Sequence, residues 1–247
     1  MTHHRITSLI KLPLLGACAL TLLASGCEKV GPLILQSDVQ TEKAYDELTK
    51  EWLRWALGQP HQSGPILDQD GSACANEQQG KVWYLAGTWG GPVERDCTVP
   101  ANKALFFPLI NRWVIPGQDV DEPEEIQPYL DWIPGYFAGG RAGTCELTLR
   151  IDGEDILPTT EDLDAELYVA QLEPFDIELD EDNWATQWGK PGGYFPSAWV
   201  DGHWALLEPL PAGDHVVEFG GAICDDNDEL VWSTAATYYL HVEGPGA

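Results

Sequence analysis

The sequence WVDGHWALLEPLPAGDHVVEF, residues 199–219, contains the pattern that decides the fold. Two runs rich in aromatic and β-branched residues, Trp199–Leu207 and His215–Phe219, are separated by the turn-forming residues Pro211–Asp214. Such runs, bounded by Gly, Pro and Asp, are typical of β-strands. No helical periodicity lies between them, so the pattern favours neighbouring antiparallel strands over a β–α–β unit.

The same pattern recurs along most of the chain. It predicts further strands at Val82–Thr88, Lys103–Ile110, Cys145–Ile151, Glu166–Ala170, Phe175–Leu179 and Thr237–Val242. About eight strands without intervening helices predict a mainly β fold, an antiparallel β-sandwich or jelly roll. Residues 113–143 and 180–196 are predicted to form long loops, which often carry the functional residues of β-proteins.

One N-terminal amphipathic helix is predicted before the strands, over residues 39–57. Ser37 and Gln40 have the spacing of a capping box, and Gly58 and Pro60 are expected to end the helix. Its apolar residues recur at helical intervals: Tyr45, Leu48, Trp52, Trp55 and Ala56. We expect this stripe to pack on the β-strands, with a partner-binding helix as the alternative.

The N-terminal residues have the pattern of a bacterial lipoprotein signal. Arg5 and Lys11 precede an apolar run, Leu12–Leu23, that is shorter than the roughly 20 residues needed to span a bilayer. The string LASGC, residues 23–27, resembles a lipobox, in which Cys27 becomes the lipidated N-terminus of the mature chain. The sequence therefore predicts a signal peptide over residues 1–26, a tether over 27–37 and a single domain over 38–247.

The predicted location is the cell envelope. A lipid anchor on Cys27 would attach the exported protein to a membrane. Inner-membrane lipoproteins of this kind tend to have aspartate after the lipidated cysteine, and Glu28 at this position favours the outer membrane. An ordinary cleaved signal is one alternative, and a rival lipobox that ends at Cys18 is another.

The composition is strongly acidic. Asp and Glu number 40 against 13 Lys and Arg, which gives a formal net charge of −27. Loss of residues 1–26 removes Arg5 and Lys11 but no acid, so the mature chain has 40 acids against 11 bases, or −29. No cluster of Lys and Arg could bind phosphates, which excludes a nucleic-acid partner. Adaptation to a salty medium and cation binding are the explanations that remain.

Four cysteines lie in the predicted domain: Cys74, Cys97, Cys145 and Cys224. An even number in an exported chain predicts two disulfides, for which three connectivities exist. We favour Cys74–Cys97 with Cys145–Cys224, because the first closes a short loop and the second ties an early strand to a late one. No C-x-x-C motif supports a zinc or redox site, and we expect no cofactor.

Five short strings lie between Trp52 and Val242: VWYLAGT at 82–88, CTVP at 97–100, KALFFP at 103–108, DGHWALL at 201–207 and YYLHV at 238–242. They resemble those of a family of uncharacterised secreted microbial β-rich proteins. The resemblance implies an exported protein with one β-rich domain. It implies no catalytic residue, because the family has no assigned reaction.

Two acidic segments are candidates for a calcium site: the first contains Asp68 and Asp70, and the second contains Asp225, Asp226 and Asp228. Calcium takes six to eight oxygen ligands, which such segments can supply. Neither segment matches an EF-hand, since Ala73 occupies the position of the required glycine in the first. Solvated acidic loops are the alternative.

Histidines on the last three predicted strands, His203, His215 and His241, raise the question of a metal site. If a turn at 211–213 joined two paired strands, His203 would lie about 20 Å along the ladder from His215. We therefore expect isolated histidines that are hydrogen-bonded within the sheets.

Aromatic residues in glycine-rich segments are candidates for stacking on a ligand: Trp89, Trp184, Trp188 and Tyr194. Exposed rings of this kind can bind sugars, and they can equally cap the ends of a sandwich. A carbohydrate hydrolase would need two carboxylates about 5–9.5 Å apart. The candidates for such a pair are Glu94, Glu146, Asp201 and Glu208.

We therefore expect a lipid-anchored, exported β-sandwich protein of the cell envelope with a binding or structural role. Its partners are expected to be the membrane, through the anchor, and a carbohydrate or an envelope protein. A secreted carbohydrate-active hydrolase or lyase is the alternative. The chain has neither a G-x-S-x-G nor an H-E-x-x-H motif, so the sequence leans against an enzyme.

Overall fold

The computed structural model describes residues 33–34, 44–118, 144–157, 166–170, 173–225 and 227–244, which form one α-helix and eleven strands. The helix is α1 (Tyr45–Leu57). The strands are β1 (Leu33–Ile34), β2 (Val82–Tyr84), β3 (Gly91–Pro100), β4 (Ala104–Val114), β5 (Thr144–Ile151), β6 (Glu154–Asp155), β7 (Tyr168–Ala170), β8 (Phe175–Leu179), β9 (Gly193–Leu207), β10 (Gly213–Cys224) and β11 (Leu230–Glu243). The predicted fold class, a mainly β sandwich with one N-terminal helix, is confirmed.

The strands form two mixed sheets. Sheet I has the order β1-β9-β4-β2, and β7 and β8 also pair with β9. Sheet II has the order β3-β11-β10-β5-β6. The neighbours are antiparallel except for two parallel pairs, β2 with β4 and β3 with β11. The long strand β9 organises sheet I, since it pairs with four other strands.

The core has two parts because side chains alternate between the two faces of β9. Ala205 and Leu207 pack in a cluster with residues of sheet II. Trp204 and Leu206 belong to the cluster on the other face of sheet I, beneath α1. Both clusters consist mainly of buried apolar side chains. Full burial of a large one, such as Leu206 or Leu207, stabilises the fold by about 1.5–3 kcal/mol.

Helix α1 packs on sheet I through the apolar stripe that the sequence indicates. The ring of Trp52 lies 5.3 Å from that of Trp204, and its indole N–H donates to the carbonyl of Leu85. The helix begins at Tyr45, after an extended Ala44, so the predicted start at residue 39 is wrong. The predicted capping box at residues 37–40 lies outside the described residues.

The two disulfides have the connectivity that we favoured. Cys74–Cys97 ties the segment before β2 to β3, with 6.2 Å between the Cα atoms. Cys145–Cys224 joins the neighbouring strands β5 and β10, with a corresponding distance of 5.7 Å. Two disulfides indicate an oxidising environment, as exported proteins have. No helix in the described part of the chain is long and apolar enough to cross a membrane.

Candidate functional site

The strand registers bring three chain segments to one end of the sandwich. β3 begins at Gly91, which pairs with Thr234 near the start of β11. Trp113, near the end of β4, pairs with Val200 of β9. At the other end of β9, Leu207 pairs with Leu33 of β1, about 23 Å further along the strand at 3.3 Å per residue.

Four tryptophans contact one another at the end of the sandwich where β3 begins and β4 ends. Trp89 contacts both Trp113 and Trp184, with 5.4 and 5.8 Å between ring centroids. Trp184 in turn contacts Trp188 at 5.7 Å, and the ring of His61 lies edge-on to Trp89 at 5.9 Å. We call Trp89, Trp113, Trp184 and Trp188 the tryptophan surface. Its rings form a continuous chain of aromatic contacts.

Two rings of this surface are open to solvent. The exposed fraction is 64% for Trp188 and 41% for Trp89, whereas Trp184 between them is only 7% exposed. A buried ring therefore supports two exposed ones. Exposed, rigidly held indoles are suited to stack on the flat face of a ligand.

The segment that carries Trp184 and Trp188 is fixed by its own hydrogen bonds. The side chain of Asn183 accepts the N–H of Ala185 and donates to the carbonyl of Asp180. Thr186 Oγ1 accepts the N–H of Asn183 and donates to the carbonyl of Glu181. These bonds order the segment before a ligand arrives, which lowers the entropic cost of binding.

The segment that carries Trp89 is held by sheet II. The hydroxyl of Thr88 donates to the carbonyl of Gly91 and accepts the N–H of Gly90. Trp232 of β11 donates its indole N–H to the carbonyl of Trp89 at 3.2 Å. The backbone on both sides of Trp89 is thus fixed to the edge of the sheet.

Three of the four predicted stacking residues come together, namely Trp89, Trp184 and Trp188. Tyr194 is 66% exposed but lies on β9, which starts inside the predicted loop at Gly193. Its neighbour Phe195 packs in the core beneath α1, so Tyr194 points to the opposite face. Sequence reasoning missed Trp113 and His61, because contacts between distant segments bring them to this end. The register of β4 on β9 positions Trp113, and a hydrogen bond from the N–H of His61 to the carbonyl of Asp182 positions His61.

A narrow cleft beside Trp89 is lined by residues of both sheets, among them Asn111, Trp113, Trp232 and Thr234. It has a volume of about 20 Å³, enough for roughly one water molecule. A sugar ring does not fit inside. A ligand of the tryptophan surface would therefore lie on the exposed rings.

Two pairings of the four candidate carboxylates are too wide for glycoside hydrolysis, namely Glu94 with Glu146 and Asp201 with Glu208. Glu94 and Glu146 lie on β3 and β5, with β11 and β10 between them, which separates them by about 14 Å or more at 4.8 Å per strand. Asp201 is fully buried in sheet I, and Glu208 follows β9 seven residues further along. Neither of these two pairs has the spacing that glycoside hydrolysis requires.

The first acidic segment uses its carboxylates to fold the backbone. Asp68 accepts N–H groups of Asp70, Gly71 and Ala73. The N–H of Ser72 donates to Asp70, and this bond is the main reason that the pKa of Asp70 is lowered. These contacts are typical of Asp in turns.

The second acidic segment also uses a carboxylate to accept backbone N–H groups of its own turn. The carboxylate of Asp225 accepts the N–H groups of Glu229 and Asn227, which lower its pKa. Asp228 occupies the left-handed region at φ 61°, as turn residues do, and Asp226 lies outside the described residues. Within the described ranges, no group of three or more His, Cys, Asp or Glu could hold a metal ion.

The three histidines are placed apart, each beside its own partner. His203 is buried on β9 with Nδ1 3.4 Å from the hydroxyl of Thr144, and His215 on β10 lies 2.9 Å from Asp152. The assumed pairing of the strands that carry them is wrong, because β9 belongs to sheet I and β10 to sheet II. The connection at residues 208–212 crosses between the sheets.

His241 bridges two carboxylates on the exposed side of sheet II. Its ring nitrogens lie 2.8 Å from Asp214 and 3.1 Å from Asp96. Only the imidazolium can donate to both carboxylates. The hydrogen bond to Asp214, and next in size the one to Asp96, therefore raise the pKa of His241.

The raised pKa predicts a pH dependence of stability. The contribution of charged His241 is complete below its unfolded pKa of about 6.5 and is lost as the pH rises through the folded value. As the pH rises through the folded pKa of His241, we expect the thermal midpoint of the wild type to fall relative to that of His241→Gln. Thermal melts of both proteins from pH 5 to 9 measure the difference. Parallel curves would contradict the prediction.

No protein-family model, no curated protein and no solved structure matches this chain. The resemblance to uncharacterised secreted β-rich proteins therefore stays a prediction.

Proposed function

We propose that the protein is an exported, lipid-anchored binding protein of the cell envelope whose carbohydrate ligand stacks on the tryptophan surface. One observation carries the proposal: two exposed indoles, Trp89 and Trp188, are held on a buried third, Trp184. Contiguous exposed apolar rings favour a binding site over a capped sandwich end, because adjoining exposed apolar side chains often mark interaction surfaces.

The shape of the surface supports an extended ligand. Pockets for small molecules usually have volumes of about 300–1,000 Å³. The two clefts that adjoin the tryptophan surface have about 20 and 10 Å³. A polysaccharide chain presents flat sugar faces in succession and needs no enclosed pocket, so it fits exposed rings.

The first described strand, β1, lies away from the tryptophan surface. The predicted lipidated residue, Cys27, precedes β1 in the sequence. β1 pairs with Leu206–Leu207, at the opposite end of β9 from the tryptophan surface. β1 therefore lies far from the surface that we assign to the ligand.

Binding is tested by removing one exposed ring. In Trp188→Ala we expect affinity for the polysaccharide to fall about tenfold, which corresponds to roughly 1.4 kcal/mol of lost stacking. Co-sedimentation of the full chain in detergent with insoluble cellulose, chitin and cell-wall sacculi measures this affinity. Tyr194→Ala is the matched control, because Tyr194 is exposed to the same extent but lies outside the surface. Equal binding by Trp188→Ala and the wild type would contradict the proposal.

The anchor is tested at Cys27. We expect the wild-type protein to fractionate with the outer membrane and Cys27→Ser to be soluble or left unprocessed, because serine cannot take the thioether-linked lipid. Mass spectrometry of the mature N-terminus identifies the modification. An unmodified N-terminus at a different residue would rule out the lipobox at Cys27.

A further inference from the structure

The two exposed indoles of the tryptophan surface do not lie in one plane. The plane of Trp184 makes an angle of 49° with that of Trp89 and an angle of 74° with that of Trp188. The planes of Trp89 and Trp188 are therefore inclined to each other by at least the difference between these angles, 25°. A flat, rigid surface can lie flat against only one of the two rings.

Both exposed rings are nevertheless within reach of one chain molecule. The centroid of Trp184 lies 5.8 Å from that of Trp89 and 5.7 Å from that of Trp188, so the two exposed centroids are no further apart than these distances together. Trp184 is only 7% exposed and offers little ring surface to a ligand. A ligand that uses the whole surface therefore needs two flat units, one for each exposed ring, joined by a linkage that lets them incline.

The backbone that carries Trp188 is held in place before a ligand binds. Trp188 ends a single 3₁₀ turn, Thr186–Trp188, and its N–H donates to the carbonyl of Ala185. The N–H of Gly189 donates to the carbonyl of Thr186, which closes the turn on the other side of Trp188. The ring thus projects from an ordered turn and leans edge-on against Trp184.

The indole of Trp89 is also held by its neighbours. Three rings surround it, and none of them is parallel to it: Trp113 at 68°, Trp184 at 49° and His61 at 78°. The angle between the two exposed indoles is therefore set by packing. A ligand that matches this angle binds without the entropic cost of ordering the rings.

We propose that the tryptophan surface binds single glycan chains, with one sugar on Trp89 and another on Trp188, and not the flat face of a crystalline polysaccharide. Sugars of a separate chain rotate about the glycosidic bonds, so two of them can follow inclined rings. In a crystal the sugar faces are locked in one plane, and stacking on one ring lifts atoms away from the other. A gap of about 0.5–1 Å already removes a quarter to a half of the dispersion attraction. This inference rests on the proposed function.

Two physical forms of the same polysaccharide test the proposal. The full chain in detergent is co-sedimented with swollen and microcrystalline cellulose, and with colloidal and crystalline chitin, at equal accessible surface. We expect the disordered form to bind about tenfold more tightly, because only a separate chain gains the second stacking contact. Sacculi, which are nets of single glycan strands, should bind like the disordered forms.

The length of a soluble oligosaccharide provides a second test. Per mole of sugar units, we expect a hexasaccharide to bind about tenfold more tightly than a monosaccharide, because it reaches both exposed rings. In Trp188→Ala this preference should disappear, since one exposed ring is left. Tyr194→Ala is the matched control and should keep it, because Tyr194 lies outside the surface. Calorimetric titration with cello- and chito-oligosaccharides measures the preference, and thermal melts verify that each variant is folded.

The outcomes separate this inference from the proposed function. Equal binding to crystalline and disordered forms, or a length preference that survives in Trp188→Ala, overturns the inference. The proposed function still stands in that case if Trp188→Ala binds the polysaccharide less tightly than the wild type does. Binding to none of the polysaccharides, sacculi or oligosaccharides overturns both.

Discussion

Replacing Arg95 with methionine should lower the free energy of unfolding by about 4 kcal/mol, because several buried acceptors then lose their donor. Arg95 is 1% exposed and points inward from β3. Its Nε donates to the carbonyl of Asp68, and its Nη1 donates to the carbonyl of Ala86 and the hydroxyl of Tyr238. Its Nη2 donates to the carbonyls of two more residues, Ile66 and Gly87.

Methionine keeps most of the length and apolar volume of the side chain but none of its donors. The carbonyl of Ala86 still accepts the hydroxyl of Tyr238, whereas those of Ile66, Asp68 and Gly87 lose the arginine. Each buried acceptor without a partner costs about 1–3 kcal/mol. The total is a large part of the 5–15 kcal/mol by which domains are usually stable.

Urea unfolding of the wild type and the variant measures this loss. Arg150→Met is the matched control, because Arg150 is exposed on β5 and its charge partners among the described residues are surface carboxylates, chiefly Asp155. That change should cost less than about 1 kcal/mol. Arg95→Lys should fall between the two, since one ammonium group cannot reach acceptors on both sides of the guanidinium. A loss below 1 kcal/mol in Arg95→Met would contradict the argument.

Arg95 also explains why the sequence did not predict β3. Val93, Cys97 and Val99 alternate with polar residues, as in a strand with one buried face. Arg95 occupies an inward position in this series and interrupts the apolar alternation. A buried arginine needs acceptors from distant segments, and a local pattern does not reveal them.

The local periodicity of the sequence predicted the secondary-structure elements, because their patterns lie within short stretches of the chain. The stripe of α1 and the strand Phe175–Leu179 have the character that the sequence indicates. Local periodicity could not predict which distant strands pair with each other. The parallel pair of β3 with β11 joins residues such as Gly91 and Thr234, far apart in the chain. The tryptophan surface depends on this pairing, so the sequence predicted three of its members and missed Trp113.

Removing the disulfide Cys145–Cys224 should lower the free energy of unfolding by about 4.5 kcal/mol. The two cysteines are 79 residues apart, so the bond strongly restricts the unfolded chain. Cys145 is exposed and Cys224 is half-buried, and the loss of packing in the double alanine variant is therefore small. The variant is compared with the wild type by urea unfolding. A loss below about 1.5 kcal/mol would show that the unfolded chain retains structure in this region.

The other disulfide should behave differently when it is combined with Arg95→Met. Cys74–Cys97 and Arg95 both hold the segment of residues 66–74 against β3, since Arg95 donates to Ile66 and Asp68. Groups that restrain the same segment are coupled, whereas distant groups act additively. We therefore expect the losses from Arg95→Met and from removal of Cys74–Cys97 to differ from their sum by more than about 0.5 kcal/mol. The same cycle with Cys145–Cys224 should be additive, because that bond joins β5 and β10. Additivity in both cycles would show that Arg95 and Cys74–Cys97 restrain separate parts of the fold.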